Sequence, residues 1–159
     1  MPIINTDDYR SPFWLPARQS QSIFPSLFRK VEGINYVRER ICTNDGDFLD
    51  VDFSKTFSTQ SSNQNTRKAE LVIFSHGLEG DTSRQYITGM VKNFNNHGFD
   101  CLAWNFRSCS GELNQTKRFY HSGATDDLEN VIKFSLLKGY HKVYFPGVAV
   151  GVAVARAAY

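Results

Sequence analysis

Three short apolar runs punctuate the second half of the chain: Leu71-Val72-Ile73-Phe74, Phe99 to Trp104, and Val143 to Phe145. The first is apolar without a break, which is the pattern of a strand covered by helices on both faces of its sheet. Between the runs the spacing becomes helical. From about Thr82 to Asn96, Ile87, Met90, Val91 and Phe94 fall at i, i+3, i+4 and i+7, and Gly98 closes the segment. From Asp126 to Lys138, Leu128, Val131, Ile132, Ser135 and Leu136 share one side, with acidic residues in the first turn and Gly139 just past the end. With a small-residue helix after Gly151, residues 69–159 read as a parallel βαβαβα core with right-handed crossovers.

Upstream the pattern differs. Tyr36 to Thr43 and Phe48 to Phe53 flank Asn44-Asp45-Gly46-Asp47, where Asp45-Gly46 suits the positive backbone angles of a tight turn, so residues 36–53 are predicted to form a β-hairpin. Ser58 to Thr66 has no apolar residue and reads as a solvated loop inside one domain. Residues 1–30 show no clean period, and Pro12, Pro16 and Pro25 interrupt any long helix, which predicts an extended arm. Its Phe13, Trp14, Leu15, Ile23, Phe24, Leu27 and Phe28 are too apolar for a solvated tail, so the arm is expected to pack on the body.

Composition narrows the function classes. A chain of 159 residues, 41% hydrophobic and 14% aromatic, builds one core and is treated as a single domain. The net charge of +2 is scattered, with no basic stripe to follow a phosphate backbone, so nucleic-acid binding is not expected. Cys42, Cys101 and Cys109 are odd in number and lack a Cys-x-x-Cys spacing, which fits a reducing compartment. There is no leader pattern and no run of about 18 apolar residues. The expectation is a soluble cytoplasmic protein without a transmembrane segment, metal or cofactor.

The chemistry-bearing stretch is Gly147-Val148-Ala149-Val150-Gly151, which follows the third apolar run. It has the shape of a nucleophile elbow, the strand-to-helix turn Gly-x-Ser-x-Gly whose flanking glycines avoid Cβ clashes. Gly147 and Gly151 keep those places. Ala149 stands where the nucleophile would be, and a methyl group neither attacks a carbonyl nor loses a proton.

Taken with Gln21-Ser22-Ile23-Phe24-Pro25-Ser26-Leu27-Phe28-Arg29, Asp45-Gly46-Asp47-Phe48-Leu49, His76-Gly77-Leu78-Glu79-Gly80, Asn105-Phe106-Arg107-Ser108-Cys109-Ser110-Gly111 and Tyr120-His121-Ser122-Gly123-Ala124-Thr125-Asp126-Asp127-Leu128, the chain resembles an α/β-hydrolase. More narrowly it resembles the YheT-like branch of carboxylesterases and monoacylglycerol lipases, in the same order from about Phe13 to Gly151. The resemblance implies an incomplete α/β-hydrolase fold in which the hairpin precedes the parallel core. It implies acyl transfer on a carboxylic ester or a monoacylglycerol-like small molecule, with the backbone N–H groups of Leu78 and Val150 forming the oxyanion hole.

The departures point the other way. Ala149 replaces the serine, and no acid or histidine of the triad is identifiable before Tyr159. The tail Val152 to Tyr159 becomes almost pure Ala and Val. The resulting expectation is a truncated or degenerate member of a serine-esterase family with no turnover of its own. The alternatives are a non-catalytic lipid- or protein-binding module, or an incomplete record of an active esterase. An apolar strand edge left beside Val143 to Phe145 would favour self-association.

Other candidates read more simply as structural. His76 is expected to hydrogen-bond backbone near the oxyanion hole, and a Ser75-His76 dyad is disfavoured because adjacent strand residues point to opposite faces. His121 is expected to fix the loop before a helix, and Asp126 and Asp127 to serve as capping and dipole partners. Cys109 is the one alternative nucleophile, without an assignable base.

Overall fold

The computed structural model describes residues 10–56, 70–121 and 123–146. The chain divides into two compact units, Met1–Lys30 and Val31–Tyr159. In the first, residues expected as an extended arm include a helix, α1 (Arg18–Phe28). Pro12 and Pro16 precede it, and only Pro25 lies inside, where it removes a single amide donor. Ile23, Phe24, Leu27 and Phe28 recur at helical spacing. The Phe24 ring sits 4.9 Å from Phe28 and 5.3 Å from Trp14, contacts that offset part of the cost of the proline.

The second unit is built on one five-stranded sheet. Its elements in chain order are β1 (Val37–Cys42), β2 (Phe48–Ser54), β3 (Glu70–Ser75), α2 (Gln85–Asn96), β4 (Asp100–Trp104), α3 (Thr125–Leu137) and β5 (Lys142–Tyr144). The spatial order is β1-β2-β4-β3-β5, with β3 parallel to both β4 and β5. The hairpin is fused to this core, because β2 pairs antiparallel with β4 as well as with β1. The expected α/β fold is therefore present as a mixed sheet, parallel only in its β3-centred part. Among the described residues β5 has no strand on its outer side, and the loop read at 58–66, the elbow and the last helix lie outside the described residues.

Alternation along β3 explains why that run is apolar throughout. Leu71 and Ile73 join Leu102, Trp104, Leu128 and Val131 in one core cluster, whereas Val72 and Phe74 join Ile87, Val91, Cys101 and Ala103 in the other. Helices α3 and α2 thus cover opposite faces of the sheet. Each fully buried aliphatic or aromatic side chain contributes about 1.5–3 kcal/mol of transfer free energy.

The hairpin turn differs in detail from the expected one. Gly46 alone of the Asp45-Gly46 pair has positive φ, at 80°. Thr43 N donates to Asp47 O at 2.9 Å and Gly46 N to Thr43 O at 3.1 Å, the arrangement of a three-residue loop closed by a left-handed glycine. Strand β2 is buried along its whole length, Asp50 and Asp52 included. Those carboxylates are tolerated because β1 sets Arg40 and Arg38 directly opposite them in register, each as a two-bonded pair at 2.8–3.0 Å.

Candidate functional site

In parallel α/β sheets, loops after the carboxyl ends of adjacent strands form the ligand crevice. Here β3 and β4 end in register, Ser75 beside Trp104, so the loops that follow them are neighbours. Between them lies a cleft of about 710 Å³, walled by Leu78 and Glu79 from the first loop, Ser108 and Cys109 from the second, and Leu113 and Tyr120 from the segment beyond. Its rim is apolar: Leu78, Leu113 and Phe119 are all largely exposed.

His76 holds the two loops together. It is 1% exposed, its Nε2 accepts the Phe106 N–H at 3.1 Å, and its Nδ1 lies 2.7 Å from Gly77 O. Acceptance at Nε2 leaves the proton on Nδ1, where it is donated to the carbonyl. Burial pushes its pKa below the ordinary histidine value, which favours this neutral tautomer. Both ring nitrogens are thus committed to backbone, the structural role expected. Ser75 Oγ accepts the Trp104 Nε1 hydrogen at 2.6 Å, so no Ser75-His76 dyad forms.

The following residues make a β-turn. Gly80 N donates to Gly77 O at 3.1 Å, and Glu79 in the third position is left-handed, φ 52°, a place usually given to glycine. Gly77 N donates to Tyr86 Oη at 3.0 Å and Glu79 N donates to Tyr120 Oη at 2.9 Å. Leu78 N has no acceptor among the described residues. Tyr120 is itself fixed by stacking on Phe106, with centroids 5.0 Å apart and planes 17° apart.

Below the cleft, Arg107 is buried against three carboxylates. Nε and Nη2 reach Asp127 at 2.9 and 2.8 Å, while Nη1 reaches Asp45 at 2.8 Å and Asp47 at 3.4 Å. Burial alone would raise the Asp47 carboxyl. Bonds from the Thr116 hydroxyl and amide, the Asn114 side chain and Gln115 N outweigh it, and hold that carboxyl well below the usual carboxylate range. Asp127 is therefore a buried ion-pair partner, whereas the N-cap of α3 is Ala124, with no side-chain cap. The capping role expected of Asp126 and Asp127 is not taken; Asp126 meets Arg118 at 3.1 Å instead. His121 Nδ1 accepts Gly123 N at 3.1 Å, the loop-fixing role expected.

Cys109 faces the cleft, but burial raises its thiol pKa, so it is protonated at neutral pH and a poor nucleophile. Among the described residues no histidine is hydrogen-bonded to a serine or cysteine side chain, and no group of three or more His, Cys, Asp or Glu is arranged to hold a metal. No helix among them is long and apolar enough to cross a membrane. Of the residues singled out in the sequence, Leu78 sits at the cleft wall, and Gly147, Ala149, Val150 and Gly151 lie outside the described residues. Sequence reasoning missed Tyr86 and Tyr120 as acceptors for the turn. Tyr120 stood inside a motif carrying the resemblance, but nothing in spacing joins it to Glu79, 41 residues away.

No family model matches the chain. YheT of Escherichia coli (strain K12), an esterase by name, is 34% identical over 134 residues, 84% of this chain and 37% of that protein. Phospholipase ABHD3 of Homo sapiens is 29% identical over 152 residues, 94% of this chain and 36% of that protein. The chain belongs to the α/β-hydrolase superfamily, as a YheT-like member. This YheT-like chain spans little more than a third of the length of the curated relatives it matches. Solved structures agree on the fold. XC6422 from Xanthomonas campestris, described as an α/β serine hydrolase without lid, superimposes with a TM-score of 0.61 at 19% identity, over 82% of this chain and 58% of that one. The Pyrococcus furiosus esterase Pf2001 gives 0.58 at 19% identity, over 80% and 50%.

Proposed function

We propose that residues 31–159 form the acyl-binding part of a carboxylic-ester hydrolase fold, and that this polypeptide binds an ester without turning it over. The substrate class is an uncharged acyl ester, of which a monoacylglycerol is the natural probe. The observation that carries the reading is the cleft of about 710 Å³ at the carboxyl ends of β3 and β4, apolar at its rim and bordered by Leu78. Glu79 and Asp81 on its wall disfavour an anionic ligand, which is why a neutral ester fits better than a free fatty acid. Leu78 and Val150 would supply the oxyanion donors. Ala149 supplies no nucleophile, and His76 has no nitrogen free to act as a base.

The test pairs binding with turnover on the 159-residue chain. Titration with 1-octanoylglycerol, followed by amide NMR, is expected to saturate and to move Leu78, Cys109 and Tyr120, while the ester stays intact. Robust release of octanoate abolished by a serine-directed inhibitor would reject the reading, as would an absence of saturable shifts.

A further inference from the structure

Resting on that reading, we propose that Tyr86 and Tyr120 are positioning residues that select the Leu78 amide as the one donor offered to an acyl oxygen. The four amides of the turn have unequal fates. Gly80 N closes the turn on Gly77 O at 3.1 Å, Gly77 N is taken by the Tyr86 hydroxyl at 3.0 Å, and Glu79 N by the Tyr120 hydroxyl at 2.9 Å. Leu78 N alone has no acceptor among the described residues, although it lies between two that do. Leu78 is exposed at the wall of the cleft, so its amide is the one donor of the turn left open to an incoming oxygen, while the three around it are already taken.

The tyrosines also hold the geometry. A left-handed non-glycine residue persists only where its surroundings impose it, and the Tyr120 hydroxyl fixes Glu79 from outside the turn. Stacking on Phe106, whose own amide is bonded to His76, anchors Tyr120 to the second loop. On the other side, a Cβ built on Gly80 would stand 2.9 Å from Tyr86 Oη and 3.2 Å from His76 Nδ1, so the absence of a side chain there lets the Tyr86 hydroxyl reach Gly77 N. Both phenols come from outside the motif that supplies the donor, one from α2 and one from the segment before α3.

Amide hydrogen exchange on the full chain decides the matter without a ligand. In the parent, Leu78 is expected to exchange at least tenfold faster than Gly77 and Glu79. Tyr120→Phe, which keeps the stacked ring, should speed Glu79 at least tenfold and spare Gly77; Tyr86→Phe should do the reverse; Val72 and Ile73 in β3 should keep their rates in both. Equal protection of Leu78 and its neighbours in the parent would overturn the proposal, as would unchanged Glu79 exchange in Tyr120→Phe. So would faster exchange throughout β3, which would make the tyrosines merely stabilising. In a second arm, the affinity for 1-octanoylglycerol read at the Leu78 amide should weaken threefold or more in each variant, and equal affinity in parent and variants would also overturn it. No response to the ester in the parent would reject the ester-binding reading alone, since the exchange result stands by itself.

Discussion

Arg107 grips Asp127 through two parallel hydrogen bonds, 2.9 Å from Nε and 2.8 Å from Nη2, with both side chains 1% exposed. The pair ties the loop after β4 to the first turn of α3, and the remaining guanidinium nitrogen carries the tie on to Asp45 and Asp47 in the hairpin turn. Three chain segments that meet nowhere else in sequence are thus joined at one cation. Because the same loop supplies Ser108 and Cys109 to the cleft wall, the pair fixes one side of the candidate site.

Removing the cation leaves the buried Asp127 carboxylate without its partner. Arg107→Met is therefore expected to cost about 3–5 kcal/mol of folding stability, the range for breaking a buried pair from one side. Arg107→Lys keeps the charge but loses the planar two-bonded fit, and should recover only part of that loss. Urea denaturation of the three proteins checks both statements. A cost below about 1 kcal/mol for Arg107→Met would show that Asp127 regains solvent or a proton without loss of the fold.

His76 makes stability depend on pH in a defined direction. Its folded pKa lies below the unfolded value of about 6.5, so the unfolded chain binds a proton more readily than the folded one. The contribution is fully present above about pH 6.5 and is lost as pH falls from there toward the folded pKa, at no more than about 1.4 kcal/mol per pH unit. Denaturation midpoints from pH 7.5 to 5.5 should fall more steeply for the parent than for His76→Gln. Parallel curves would mean that His76 binds its proton equally well in the folded and unfolded chain, and so that its Nε2 is not held as the acceptor of the Phe106 N–H.

The elements of the second unit were legible because their signals are local. The unbroken run at Leu71–Phe74, the i, i+3, i+4, i+7 series through Ile87 and Val91, and Gly98 and Gly139 with φ of 89° and 90° all report on nearest neighbours in the chain. What could not be read depends on distant partners. Arg107 meets Asp45 across 62 residues, and Tyr120 meets Glu79 across 41. Asp127 looked like a helix-start residue because an acidic side chain in a first turn serves the dipole equally well in either role. In the first unit, weight given to three prolines hid an α1 stripe of Ile23, Phe24, Leu27 and Phe28 that only one of them interrupts.

Strain at Glu79 gives a small stabilising substitution. A left-handed non-glycine residue costs roughly 1–2 kcal/mol, while glycine loosens the unfolded chain by about 0.4–1 kcal/mol. With φ at 52°, Glu79→Gly is expected to be neutral to about 1 kcal/mol more stable, and the branched Glu79→Val clearly less stable. Thermal unfolding of both variants tests the sign. Destabilisation by glycine would assign the exposed Glu79 side chain an interaction that the turn geometry does not account for.

Ala149→Ser tests whether the chain holds catalytic partners for a hydroxyl at position 149. Serine becomes a nucleophile only when a base removes its proton, and an oxyanion donor, the role proposed for Leu78 N, cannot substitute for that step. The His76 nitrogens are held by Phe106 N and Gly77 O, and Cys109, the other nucleophilic group at the cleft, is kept protonated by burial. Parent and Ala149→Ser chains are therefore expected to release alcohol from short acyl esters and monoacylglycerols at equal rates, a ratio of about one. A tenfold gain for Ala149→Ser, accompanied by labelling with a serine-directed phosphonate, would contradict this. It would require a base within hydrogen-bond reach of position 149, and so a partner for the restored hydroxyl elsewhere in the 159 residues.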